Sequence, residues 1–129
     1  MEPAFKRIDV VVLFVSDLER SKEFYRDLLG LAVAQEDDDS TYFQLDGASL
    51  LLLSIPGAQD LLSSTALAGH SAGASSQLAV FVDDVNAIHA DLAAKGVEFI
   101  REPIDRPWGM RTAHFKDPDG HVWEISQTL

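Results

Sequence analysis

One stretch near the end of the chain decides the fold: Phe115-Lys116-Asp117-Pro118-Asp119-Gly120-His121-Val122-Trp123-Glu124-Ile125-Ser126. It predicts a strand that enters a tight turn and a second strand that leaves it, because Pro118 fixes φ and Gly120 supplies a positive φ. In the outgoing strand, Trp123 and Ile125 alternate with Glu124, so one face is apolar and the other carries a carboxylate. A buried carboxylate is costly without a partner. Glu124 therefore faces either water or a functional site.

The composition predicts one folded domain over residues 1–129. Hydrophobic residues make up 47% of the chain, and it has no cysteine, which excludes disulfides, thiolate catalysis and cysteine-ligated metals. The net charge of −11 argues against nucleic acid and anionic membranes as partners. The first residues lack the apolar core of a signal peptide, and no apolar run is long enough to span a bilayer. We therefore expect a cytoplasmic protein.

The order of predicted elements repeats along the chain. A strand over residues 8–15 precedes a helix that begins at Ser16 or Asp17 and three further strands that end at residue 55. The same order returns with a strand over 77–82, a helix capped by Asp84, and strands over 97–101, 110–115 and 122–127, with a loop over 103–107. Residues 56–76 are rich in Ser, Ala and Gly, and we interpret them as a linker with a helical turn near Leu61–Leu67.

The repeat predicts an α+β fold of two βαβββ modules, residues 6–55 and 77–129, joined by the linker 56–76. Neither module alone covers both faces of its sheet. We therefore expect the modules to pair into an eight-stranded, curled mixed sheet around a central cleft, with one helix backing each half.

The repeat also predicts which side chains face that cleft. Val10 and Gln77 occupy matching positions on the first strand of each module, and Leu51 and Glu124 occupy matching positions on the fourth. Strand alternation adds apolar neighbours to the same surface. These neighbours are Val12, Phe14, Leu53, Ala79 and Phe81.

The chain resembles the vicinal oxygen chelate superfamily, which groups glyoxalase I, extradiol dioxygenases and bleomycin resistance proteins. The resemblance covers nearly the whole chain. It rests on four pieces of sequence, namely Val15-Ser16-Asp17-Leu18-Glu19-Arg20-Ser21-Lys22-Glu23-Phe24-Tyr25 with Leu29-Gly30-Leu31, Val82-Asp83-Asp84-Val85, Trp108-Gly109-Met110-Arg111, and Asp117-Pro118-Asp119-Gly120 with Glu124.

The resemblance implies a metal site that this chain only half retains. Metal-dependent members carry His or Gln on the first strand of each module and Glu on the fourth. Here Gln77 and Glu124 fit that pattern, whereas Val10 and Leu51 have no donor atom. The favoured interpretation is therefore a binding protein for a small apolar or aromatic molecule that uses no metal or other cofactor, and the bleomycin-binding relatives imply a homodimer. The alternative is a metal-dependent lyase, isomerase or dioxygenase with a rebuilt site, so enzyme activity stays open.

Glu124 is the candidate catalytic residue, because apolar surroundings would raise its pKa and let it exchange a proton near neutral pH. Gln77 either bonds Glu124 or presents its amide to a ligand. Arg111 is either the ionic partner of Glu124 or a surface residue.

Two aromatic side chains complete the ligand-binding candidates. Trp108 either stacks on a ligand or covers the edge of the core. His114 points either toward Glu124 or away from it, because the hairpin register around the turn cannot be read from the sequence. His70 falls in the linker and is expected to be solvated.

Overall fold

The computed structural model describes residues 4–62 and 76–129. The chain divides into two compact units, residues 1–67 and 68–129, which are described in turn. The predicted helical turn at Leu61–Leu67 and His70 lie largely or wholly in 63–75, outside the described residues. No helix in the described ranges combines the length and the apolar character needed to cross a membrane.

The first unit follows the predicted order of elements. It contains β1 (Val10–Val15), α1 (Leu18–Glu23), β2 (Val33–Glu36), β3 (Ser40–Gln44), β4 (Ser49–Ser54) and α2 (Ile55–Leu61). Helix α1 begins at Asp17, whose carboxylate accepts a hydrogen bond from the backbone N–H of Arg20, and it continues as a π-helical turn over Phe24–Leu28. Of the two candidate caps, Asp17 therefore takes the role rather than Ser16.

The second unit repeats that order. It contains β5 (Gln77–Phe81), α3 (Val85–Ala94), β6 (Phe99–Asp105), β7 (Met110–Lys116) and β8 (Val122–Thr128). Asp84 caps α3 as predicted, and its carboxylate accepts from the backbone N–H of Ala87.

The eight strands lie in two four-stranded mixed sheets of equivalent topology. The first sheet has the order β1-β4-β3-β2 and the second β5-β8-β7-β6. In each sheet the first strand pairs parallel with the fourth, and the other pairs are antiparallel. The α+β class and the two βαβββ modules are therefore confirmed, whereas a cleft around which the two modules curl stays a prediction.

One face of each sheet is covered by a helix of its own unit. In the first unit, α1 contacts β3 and β4, and the buried side chains of this layer include Val15, Tyr25, Phe43 and Leu52. In the second unit, α3 contacts β6, β7 and β8 over Val85, Leu92, Phe115, Trp123 and Ile125. Because side chains alternate along a strand, the remaining residues of each strand project from the other face.

The turn before β8 forms as its sequence predicts. Asp117 is 4% exposed, and its carboxylate accepts hydrogen bonds from the backbone N–H groups of Asp119 at 3.0 Å and His121 at 2.8 Å. Gly120 adopts φ of 87°, a conformation that side chains with a Cβ atom rarely take. This turn fixes the hairpin that presents Glu124.

Two boundaries differ from the sequence prediction. Helix α2 takes up Ile55, which was predicted as the end of the fourth strand, and residues 56–61 of the predicted linker; Pro56 lies in its first turn and the Ser54 hydroxyl caps it. The predicted loop 103–107 also begins too early, because β6 continues through Pro103 to Asp105. Pro103 is tolerated there because β6 is an edge strand with an irregular register.

Candidate functional site

The register of the second sheet brings four polar side chains together on the face that α3 does not cover. Strand β8 lies between β5 and β7, and Glu124 of β8 is paired with Ala79 on one side and His114 on the other. Paired residues project from the same face of a sheet. Ser126 lies two residues beyond Glu124 and Gln77 two residues before Ala79, so both share this face. We call Gln77, His114, Glu124 and Ser126 the Glu124 cluster.

Hydrogen bonds occupy both oxygen atoms of Glu124. The Ser126 hydroxyl donates to Oε1 at 2.5 Å, and the Gln77 amide Nε2 donates to Oε2 at 3.1 Å. His114 Nε2 lies 2.9 Å from the same Oε2. The structure thus settles two open alternatives: Gln77 bonds Glu124, and His114 points toward it.

The cluster favours an ionised Glu124. Burial acts to raise the pKa of Glu124, but the hydrogen bonds from Ser126, Gln77 and His114 and the nearby imidazole charge outweigh it, so the pKa lies below its ordinary value. The expectation of a raised pKa is therefore wrong. At neutral pH Glu124 accepts hydrogen bonds or a proton and is not a proton donor.

An ionised Glu124 also fixes the tautomer of His114. A carboxylate only accepts hydrogen bonds, so His114 Nε2 must carry a hydrogen. The other ring nitrogen, Nδ1, is buried and has no hydrogen-bond partner. In the neutral imidazole, Nδ1 is consequently a free acceptor beside an anion.

The first sheet carries apolar residues at the positions that match the Glu124 cluster. Leu51 of β4 is paired with Val12 and Tyr42, just as Glu124 is paired with Ala79 and His114. Val10 matches Gln77, and Leu53 matches Ser126. The face of the first unit therefore has no equivalent of the carboxylate network.

The remaining apolar candidates lie on the uncovered faces of their own sheets. In the first unit, Val10 and Val12 are exposed and Phe14, which is paired with Leu53, is half-buried. In the second unit, Phe81 is paired with Ser126 and is 83% exposed. Their role in ligand binding stays a prediction.

Of the two alternatives for Arg111, the structure excludes an ion pair with Glu124. Its Nε and Nη2 atoms donate to the two carboxylate oxygens of Asp105, at 2.7 and 3.3 Å. Arg111 is adjacent to Thr112, which shares the face of Ser126, so alternation along β7 directs Arg111 to the opposite face.

Trp108 lies in the loop between β6 and β7 and is 69% exposed. It is therefore not a cover over the core. The Arg106 guanidinium carbon lies 5.8 Å from the centre of its ring, within the range of a cation–π contact. Sequence reasoning missed Arg106, and the available signal was its position immediately before Pro107-Trp108-Gly109.

The residues of the cluster fit a divalent metal ion poorly. In the described part of the chain, no group of three or more His, Asp or Glu side chains is placed to hold one. Both Glu124 oxygens already accept hydrogen bonds within the module. Gln77 and Glu124 alone form a weak oxygen pair.

Comparisons with known proteins place these features in a family context. The model of the Glyoxalase/Bleomycin resistance protein/Dioxygenase superfamily matches residues 7–125. The uncharacterized protein YraH of Bacillus subtilis (strain 168) is 34% identical over 121 residues, which cover 91% of this chain and 94% of that protein. A probable lactoylglutathione lyase of Vibrio cholerae serotype O1 is 30% identical over 132 residues, covering 94% of this chain and 90% of the lyase. The crystal structure of a glyoxalase/bleomycin resistance protein/dioxygenase from Nocardioides is similar with a TM-score of 0.87 at 28% identity, covering 99% of this chain and 87% of that one.

Proposed function

The chain belongs to the Glyoxalase/Bleomycin resistance protein/Dioxygenase superfamily, and on that premise we propose that it binds a small apolar or aromatic molecule without a metal ion. The observation that carries the proposal is the Glu124 cluster, in which an ionised carboxylate is held by three donors of its own module. Such a group orients a ligand through a few polar contacts, while apolar side chains supply most of the contact area.

Exposed apolar side chains on both sheets support an apolar or aromatic ligand. Phe81, beside Ser126 on the second sheet, and Val12, beside Leu51 on the first, present apolar surface to solvent. Removing that surface from water contributes about 25 cal/mol for each Å² to binding, and the entropy cost of association opposes this gain. The net charge of −11 supports a small molecule rather than a nucleic acid as the partner.

The metal-free part of the proposal rests on the donor set. Both oxygens of Glu124 already accept hydrogen bonds, and the matching positions of the first module are aliphatic. A divalent ion would have to break the network and would still lack ligands. We therefore assign no metal-dependent step to this site.

Elemental analysis tests this part directly. The protein is purified without chelators or a metal-affinity tag, dialysed against Mg²⁺, Mn²⁺, Zn²⁺, Ni²⁺ and Fe²⁺ in turn, and measured beside the Glu124→Ala variant. We expect no stoichiometric ion in either protein. A stoichiometric ion in the wild type that is absent from Glu124→Ala would overturn the metal-free proposal.

A thermal-shift screen tests ligand binding. Uncharged aromatic compounds and aromatic acids are compared on the wild type and on Phe81→Ser, which keeps the Glu124 cluster but removes the exposed ring. We expect stabilisation by aromatic compounds that is weaker in the variant. If no member of either group stabilises the wild type at millimolar concentration, the proposed ligand class is wrong.

A second candidate function is a lyase. It is favoured by the similarity to the probable lactoylglutathione lyase and by His114 Nε2 at 2.9 Å from Glu124, since an ionised carboxylate beside an imidazole can accept a proton. The test is the formation of lactoylglutathione by the wild type and by Glu124→Gln. Turnover that is lost in a folded Glu124→Gln protein would favour the lyase, and turnover that persists at the wild-type rate would exclude Glu124 as its base.

A homodimer completes the proposal. It follows from the resemblance to bleomycin resistance proteins, and the exposed Val10, Val12 and Phe81 side chains are compatible with a partner that covers them. Light scattering coupled to size-exclusion chromatography measures the mass directly. A monomer at micromolar concentration would remove this part of the proposal.

A further inference from the structure

We propose that Arg106 is an anion-binding residue that recognises a carboxylate group on the ligand, next to the Glu124 cluster. The inference rests on the proposed small-molecule function and specifies its ligand as an aromatic monocarboxylate. It arises from three observations on the second unit: how the guanidinium is held, which charges surround it, and which groups lie beside it.

The Arg106 side chain is held over the face that carries the Glu124 cluster. Its Nε donates to the Thr112 hydroxyl at 3.0 Å, and its guanidinium lies against the Trp108 ring. Thr112 is paired with Ser126, whose hydroxyl donates to Glu124. Paired strands lie about 5 Å apart, so the guanidinium is fixed one strand away from the cluster.

Within residues 4–62 and 76–129, the charge of Arg106 has no carboxylate partner. No Asp or Glu oxygen of the described residues lies within ion-pair distance of its guanidinium, although the chain has 21 acidic residues. Arg111, on the opposite face of the same hairpin, is neutralised by two contacts to Asp105. Arg106 therefore keeps its two terminal amino groups as donors for a ligand, in the planar fork that suits a carboxylate.

The surrounding groups select the charge and shape of the ligand. Glu124 is an anion on the same face and the whole chain is strongly acidic, so a second negative charge on the ligand is disfavoured and a monoanion is preferred over a phosphate dianion. Trp108 and Phe81 are both exposed aromatic rings near this face, and they favour a planar apolar body. An aromatic monocarboxylate meets both conditions.

Matched pairs of probes test the proposal. Isothermal titration compares phenylacetate with phenylacetamide, and 3-phenylpropionate with its amide, because each amide keeps the shape of its acid and lacks the charge. Phenyl phosphate serves as the dianionic probe. The proteins are the wild type, Arg106→Gln, Arg106→Lys and, as a matched control, Arg111→Gln, which removes an arginine from the same hairpin but from its other face. Thermal unfolding of each variant verifies that it is folded.

We expect the wild type to prefer each acid over its amide by about tenfold or more, as for a hydrogen-bonded charge pair. The preference should disappear in Arg106→Gln, decrease in Arg106→Lys because a single ammonium replaces the fork, and persist in Arg111→Gln. Equal binding of acid and amide by the wild type would overturn the role of Arg106 and leave the small-molecule function standing. No binding of any probe would overturn the inference together with its ligand class, and tighter binding of phenyl phosphate would overturn the monocarboxylate assignment.

Discussion

Replacing Glu124 with Gln isolates the contribution of its half-buried charge. The substitution keeps the size of the side chain and one acceptor oxygen, but it removes the charge that Ser126, Gln77 and His114 converge on. A hydrogen bond to a charged acceptor contributes about 1 kcal/mol more than a neutral one. Three such bonds amount to about 3 kcal/mol, which is partly offset because the neutral amide is less costly to bury. We expect Glu124→Gln to destabilise the folded state by about 1–2 kcal/mol at pH 7.

The destabilisation caused by Glu124→Gln should depend on pH in a defined direction. The folded-state pKa of Glu124 lies below its ordinary value of 4.5, so the stabilisation by its charge is fully present above that value. It disappears as the pH falls through the lowered folded-state pKa, because protonated Glu124 then resembles Gln. The difference between wild type and variant should therefore be constant from neutral pH down to about pH 5 and shrink below it.

Urea denaturation followed by tryptophan fluorescence measures this difference, since Trp123 is buried in the same unit as Glu124. The matched control is Glu98→Gln, which removes an exposed carboxylate 3.4 Å from Lys116 and should change stability by less than about 0.5 kcal/mol. The urea concentration at the midpoint of unfolding should decrease in Glu124→Gln, and the dependence of the unfolding free energy on urea concentration should stay the same. A Glu124→Gln protein as stable as the control at pH 7, or a deficit that is the same at pH 7 and pH 4, would refute an ionised, stabilising Glu124.

Two further substitutions test the local structure that positions the site. Asp117→Ala removes the acceptor for the backbone N–H groups of Asp119 and His121 in a buried turn, and it should destabilise the protein by about 1–3 kcal/mol in denaturant unfolding. Asp117→Asn, which keeps one acceptor oxygen, should recover most of the loss, and equal damage from both substitutions would contradict the capping role. Asp84→Ala removes the cap on the Ala87 N–H and should cost about 1 kcal/mol, with Asp84→Ser close to wild type. A neutral Asp84→Ala would show that α3 does not depend on this cap.

Local signals in the sequence were sufficient for most of the fold. The caps at Asp17 and Asp84 and the Asp117 turn all form, because each depends on residues within four positions of one another. The repeat of the element order predicted the two βαβββ modules, and the strand registers confirm that Val10 matches Gln77 and that Leu51 matches Glu124. The predictions failed at Pro103 and at residues 55–61. An edge strand accepts a proline that an interior strand would reject, and helix α2 starts directly from a strand.

The candidate site was only partly predictable. The sequence placed Gln77 and Glu124 together, but the direction of His114 depended on the register of the β7–β8 hairpin, which the structure sets by pairing His114 with Glu124. The ionic partner of Arg111 was also a matter of register, because an offset of one residue moves a side chain to the opposite face. Arg106 reaches Thr112 from a loop, and no periodicity predicts such a contact.

The sequence by itself determined the family pattern, the two modules, the caps and turns, and the absence of donor atoms at Val10 and Leu51, since all of these are properties of residue identity and short spacing. Only the tertiary structure decided the state of Glu124. Its pKa depends on a balance between desolvation and three hydrogen bonds, two of them from residues 10 and 47 positions away along the chain. Burial alone would have raised that pKa, and the pairing of three strands reverses the outcome because it directs the donors at one carboxylate.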